Sequence, residues 1–143
     1  MTQEQKELLL KDLCGRLPYG VKIDNMGEPA MLASINNRHR IIVEITEVDK
    51  NRSFNLPRLD VLEIENAKPY LFPMSSMTEE QKQEYTYIVN YISSDDTENW
   101  KEGEFIYVEQ FTQLMHFYHI NHLDYMGLIP MGLANDATGK NIY

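Results

Sequence analysis

The spacing of apolar positions changes several times along the chain, and each change marks an element. Thr2 followed by Gln5 is a capping-box pattern, and Leu9, Leu10 and Leu13 then recur at helical spacing. This predicts a helix over residues 2–14, stopped at Gly15. Leu17-Pro18-Tyr19-Gly20 reads as a turn. Residues 21–23, 30–35, 41–45 and 59–64 are β-branched and apolar runs separated by turn chemistry at 25–29, 36–38 and 49–57. Sequential strands with no helix between them favour an antiparallel meander. Within 60–65, Leu62 and Ile64 share one face while Val61, Glu63 and Glu65 share the other, which predicts a sheet with one wet face.

Pro69 and Pro73 within residues 68–73 predict an extended connector leaving the sheet. Thr78 with Gln81 is a second capping box, Glu79 and Glu80 suit a first turn, and Tyr85, Ile88, Val89 and Ile92 form a helical stripe ending near Ser93-Ser94. Residues 95–103 read as a polar loop around Trp100, and 104–108 as a short strand. Phe111, Leu114, Met115 and Tyr118 predict a helix over 110–121. From Asp124 onward, Gly127, Pro130, Gly132 and Gly139 predict an irregular segment packed through Leu128, Ile129, Met131 and Leu133. The expectation is a single α+β domain over 1–143. It has an N-terminal helix, a small antiparallel sheet of four or five strands curved into a partial barrel, and two C-terminal helices on one face.

Charge narrows the partners. Lys plus Arg number 13 against 22 Asp plus Glu, a formal charge of -9, which disfavours general attraction to nucleic acid or to an anionic membrane. A polar N-terminus, no apolar run near the roughly 20 residues that span a bilayer, and a single cysteine together predict a cytoplasmic protein.

Few residues could carry chemistry. His116, His119 and His122 stand three apart, so on a helix their imidazoles drift across an arc of about 120°. His116 and His119 could reach one metal, but no Glu completes an HExxH pattern. Packing or capping at a helix C-terminus is the simpler reading. Cys14 falls at a helix C-terminus, where the dipole opposes a thiolate, although Arg16 could offset this. It reads as a small buried apolar residue. Residues 137–141 resemble the end of a P-loop, but Gly132 and Gly139 are too far apart and Asn141 replaces the Ser or Thr. Asn135-Asp136 and Asp95-Asp96 lack the alternating ligands of a calcium loop. No cofactor is expected. Nine Tyr and five Phe, among them Tyr19, Tyr70, Phe72, Tyr125 and Tyr143 outside the regular elements, suit a core rim or an interface. Tyr19, Tyr70, Phe72 and Tyr125 are the candidate interaction residues. Glu44, Glu47, Asp49, Asp60, Glu63 and Glu65 could form one negative surface.

Three stretches carry a resemblance: residues 10–21 (LKDLCGRLPYGV), 68–80 (KPYLFPMSSMTEE) and 123–134 (LDYMGLIPMGLA). They resemble a family of small uncharacterised proteins of gut anaerobic bacteria, their phages and mobile elements. The resemblance implies an accessory protein working inside a bacterial cell, and it transfers no catalytic motif. The leading expectation is a non-enzymatic binding protein with a protein partner, such as a modulator of a host protein. The alternative is a small-ligand or metal-dependent enzyme or sequestering protein centred on His116 and His119. A homo-oligomer with tyrosines in its interface is a third.

Overall fold

The computed structural model describes residues 1–45, 57–93 and 106–143. Both halves of the first capping box form: the Gln5 amide donates to Thr2 Oγ1 (3.2 Å) and the Thr2 amide to Gln5 Oε1 (2.9 Å). The helix they start, α1 (Gln3–Arg16), continues through Gly15 rather than stopping there. Glycine meets a packing need at that position, since an added Cβ would lie 2.8 Å from Cε1 of His119. The chain turns instead at Gly20, left-handed at φ 67°, after a 3₁₀ turn over Leu17–Tyr19.

An antiparallel meander follows: β1 (Lys22–Asn25), β2 (Glu28–Ile35), β3 (Ile41–Ile45) and β4 (Arg58–Leu62). Met26 and Gly27, at φ 57° and 93°, make the two-residue link between β1 and β2, the turn whose twist suits a tight hairpin. Ile64 lies beyond β4 in a 3₁₀ turn (Ile64–Asn66), but the faces fall as the alternation predicts. Ile64 is buried, Leu62 packs against the core, and Val61 is 56% exposed.

The sheet is larger than expected. β5 (Lys68–Leu71) and β6 (Asn135–Asp136) extend it to six strands in the order β4-β3-β2-β1-β5-β6, with β5 and β6 parallel. The expected connector is thus a strand, and the tail expected to be irregular contributes another. Pro69 is tolerated because the ladder with β1 is two residue pairs long and that with β6 begins at Tyr70. Among the described residues no barrel closes: the sheet is open, with β4 and β6 at its edges. It nevertheless curls. Asn25 Nδ2 of β1 donates to Asp60 Oδ2 of β4 at 3.1 Å. These strands stand three positions apart, roughly 14 Å in a flat sheet at about 4.8 Å per strand.

α2 (Glu79–Ser93) begins at the second capping box, with the Gln81 amide on Thr78 Oγ1 (3.2 Å) and the Thr78 amide on Gln81 Oε1 (2.9 Å). α3 (Ile106–Ile120) includes residues 106–108, expected as strand, because β propensity is a weak preference that a continuing helix overrides. α1 covers the sheet: Leu9 and Leu13 join Val21, Ile23, Leu32, Ile41, Val43 and Leu71 in the main core. The pair expected there, α2 and α3, instead packs together. Ile88 and Phe117 form a separate cluster with Leu123, Phe72 and Met74. Phe111, placed on the inner stripe by its spacing, is 59% exposed, although Leu114 and Tyr118 of the same stripe are partly buried in the smaller cluster. Met131 is likewise exposed, whereas Leu128 and Leu133 are buried as expected. No described helix is long and apolar enough to cross a membrane. Residues 49–56, Glu47, Ser94, the 95–103 loop with Trp100 and Asp95-Asp96, and residues 104–105 lie outside the described residues.

The faces of β4 give a direct stability test. Leu62→Ala and Ile64→Ala are each expected to cost about 2–5 kcal/mol and Val61→Ala clearly less. Urea denaturation of the three variants checks the order, and equal losses would mean that the faces are misassigned.

Candidate functional site

Leu9, Asp12, Leu13 and Arg16 repeat at three and four residues and form the buried face of α1. Two of them are charged. Arg16 and Asp12 have side chains 0% exposed, and Arg16 Nε meets Asp12 Oδ2 at 2.7 Å. Arg16 Nη2 donates to the Leu123 carbonyl at 2.7 Å, and the guanidinium lies 5.4 Å from the Tyr125 ring centroid. Burial raises the Asp12 pKa against the pull of Arg16, and the nearby Asp124 charge raises it further. Asp124 is itself held, its two oxygens accepting the Leu128 (2.7 Å) and Ile129 (2.8 Å) amides.

Around this pair the fold gathers four of the sequence-predicted residues. The Tyr19 ring lies 5.5 Å from that of His116 and 5.3 Å from that of His119, with its hydroxyl 3.1 Å from His116 Nδ1. His119, 6% exposed, bonds the Tyr125 hydroxyl through Nε2 at 3.0 Å. Tyr125 stacks on Tyr118 at 4.7 Å and 8°. Burial, followed by the Arg16 and His116 charges, lowers the His119 pKa to about 4, so the ring is neutral near pH 7. Burial also raises the Tyr125 hydroxyl. His116 is exposed, and Tyr19 sits against both imidazoles. Among the described residues no three His, Cys, Asp or Glu side chains group as metal ligands. Chemically, the arrangement is a hydrogen-bonded stack that joins the end of α1 to the end of α3.

The other candidates lie elsewhere. Tyr70 is buried, at 6% exposure. Phe72 is half-buried and lines a shallow groove of about 310 Å³ with Gln81, Asn121 and His122. Cys14, expected buried, is exposed, because it falls off the Leu9-Asp12-Leu13-Arg16 face. Arg16 does not serve it, being committed to Asp12. Of the described acidic residues, Asp60 bonds Asn25 and Arg58, Glu63 meets Arg40 at 3.0 Å, and Glu65 pairs with Lys6. Sequence reasoning did not pick out Asp12, and it took Gly15 only as a helix stop and Arg16 only as a neighbour of Cys14. The available signal was the i, i+4 charge pair on the same face as Leu9 and Leu13.

Two predictions follow from this packing. Gly15→Ala is expected to destabilise by about 1–3 kcal/mol from overpacking against His119, although helix propensity alone favours Ala by about 1 kcal/mol. Thermal unfolding decides the sign. The second concerns pH: His119 and His122 both have folded pKa values near 4, below the ordinary 6.5. The unfolded chain therefore takes up protons first on acidification. The stability these groups contribute is complete above pH 6.5 and is lost as pH falls toward 4. Asp12, with its raised pKa, works with the opposite sign, so the comparison is made against a variant. His119→Gln should lose less stability than the native chain between pH 7 and 4 in denaturant titrations. No protein-family model matches the chain, and searches of curated proteins and of solved structures returned no match.

Proposed function

We propose that the chain is a non-enzymatic binding or accessory protein that acts on a protein partner, a role in keeping with the resemblance to small proteins of phages and mobile elements. The observation that carries this reading is the outer face of β4. Leu59 and Val61 are 59% and 56% exposed on a strand at the edge of the sheet. An edge strand presents backbone donors and acceptors to an incoming strand, and exposed apolar side chains add burial to that pairing. Ile42 lies opposite Val61, and Glu44 lies opposite both Leu59 and Met31, so the same face continues inward. With a charge of -9, the chain favours a partner that brings basic residues alongside apolar ones. Meanwhile the groups best suited to catalysis are engaged internally, His119 by Tyr125 and Arg16 by Asp12.

Affinity capture of the tagged protein from a native bacterial lysate is expected to return one stoichiometric protein. The double variant Leu59→Lys, Val61→Lys, with unchanged circular dichroism, should lose it. Retention by that variant would remove β4 as the interface. Turnover of a nucleotide or nucleic acid by purified protein, abolished by His119→Gln, would sink the non-enzymatic reading.

A further inference from the structure

A side chain interrupts the seam between β1 and β5. Ile23 pairs with Pro69 and Asp24 with Lys68, so the next antiparallel pair in register is Lys22 with Tyr70. A hydroxyl bridges these two residues. The Lys22 amide donates to the Tyr143 hydroxyl at 3.2 Å, and that hydroxyl donates to the Tyr70 carbonyl at 2.6 Å. It stands where an amide-to-carbonyl bond would otherwise close the ladder. The Tyr143 ring is held by stacking on His122 at 3.9 Å and 11°, and it meets Phe72 at 5.9 Å and 45°. His122 keeps its place at φ 51°, in the left-handed region that non-glycine residues enter when their surroundings fix them there.

These groups select one chemistry. The Tyr70 carbonyl needs a donor and the Lys22 amide needs an acceptor, one atom apart, on a flat ring that fits against an imidazole. A phenol hydroxyl supplies both; a carboxylate has no donor, an ammonium has no acceptor, and a phenyl ring has neither. The segment that delivers Tyr143 is lightly held. Residues 138–141 are exposed, and their backbone bonds are local, Lys140 to Ala137 (3.0 Å) and Ile142 to Lys140 (2.9 Å). Lys140 Nζ lies over the Tyr70 ring at 5.5 Å.

We propose that the β1–β5 seam is a phenol-binding socket, filled in this structure by Tyr143 and open to a tyrosine side chain of another molecule when the tail withdraws. The inference does not rest on β4, which lies at an edge of the sheet away from this seam, so the two readings can fail separately.

Amide hydrogen exchange followed by NMR tests it. In Tyr143→Ala the Lys22 amide is expected to exchange about tenfold faster, the effect of losing one net hydrogen bond. Added p-cresol should restore its protection and toluene should not. N-acetyl-tyrosinamide in place of p-cresol asks whether a tyrosine with its backbone enters. Undiminished Lys22 protection in the variant without ligand would mean that the seam closes on itself, and no socket exists. Equal effects of p-cresol and toluene, or none from either, would also overturn the proposal. Should Tyr143→Ala fail to fold, Tyr143→Phe keeps the ring and removes only the hydroxyl. Its Lys22 amide must then exchange faster than in the native protein, and an unchanged rate overturns the proposal.

Discussion

The end of α1 is organised by one buried cation. Arg16 is fully removed from water, and a buried guanidinium is tolerable only when its geometry is good and its hydrogen bonds are made. Asp12 at Nε, the Leu123 carbonyl at Nη2 and the Tyr125 ring meet that condition in part from two directions, one along the helix and one across the fold, while Arg16 Nη1 and Asp12 Oδ1 are buried without a hydrogen-bond partner. The second direction matters most. Leu123 sits in a turn whose neighbours bond both sides of Phe72, through Phe72 amide to His122 carbonyl (2.9 Å) and Asp124 amide to Phe72 carbonyl (2.8 Å). A single side chain thereby links α1, the end of α3 and the strand side of the sheet. Replacing such a pair with well-packed apolar residues can be neutral or stabilising, whereas removing one partner strands a charge. The pair therefore acts chiefly by fixing where α1 stands relative to the turn.

That placement explains the close contacts around it. Holding α1 against the turn brings the backbone of Gly15 onto the His119 imidazole, which leaves no room for a Cβ. It brings Tyr19, just past the helix, onto both histidines. The two apolar clusters then divide the work. The larger lies between α1 and the curled sheet, the smaller between α2, α3 and Phe72, and the 116–125 region joins them. The His119 imidazole is desolvated by this joint.

The sequence was readable wherever a signal was local. Both capping boxes, the positions of the first four strands and the division of Leu62 and Ile64 from Val61 follow from side-chain type and period. What escaped was set by distant partners. β5 contains Pro69, a residue that argues against a strand until β1 and β6 are known to flank it. β6 is two residues long, too short for any period to appear. Gly15 resembles a helix stop because the reason for its presence, His119, lies 104 positions further along the chain. At the site, Tyr19, His116, His119 and Tyr125 were each visible as residues of interest. Their convergence depended on Asp12 and Arg16, whose burial a charge pattern alone does not reveal, since an i, i+4 ion pair is ordinarily solvated.

The distribution of charge bears on what can dock. Lys6, Arg16, Arg40, Arg58 and Lys82 each face a carboxylate, so these five bases are already matched within the chain. The surplus of acid leaves a net charge of -9, so two copies of the chain repel at long range. An apolar edge such as that of β4 invites pairing with any strand, including its own copy, and repulsion is one of the ways an edge is kept from self-association. Among the described tyrosines Tyr70 is buried and Tyr118 and Tyr125 are stacked on each other, whereas Tyr87 is 70% exposed. On the reading proposed above, the same charge that opposes a second copy attracts a basic strand, so the electrostatics select the partner while Leu59 and Val61 supply the contact.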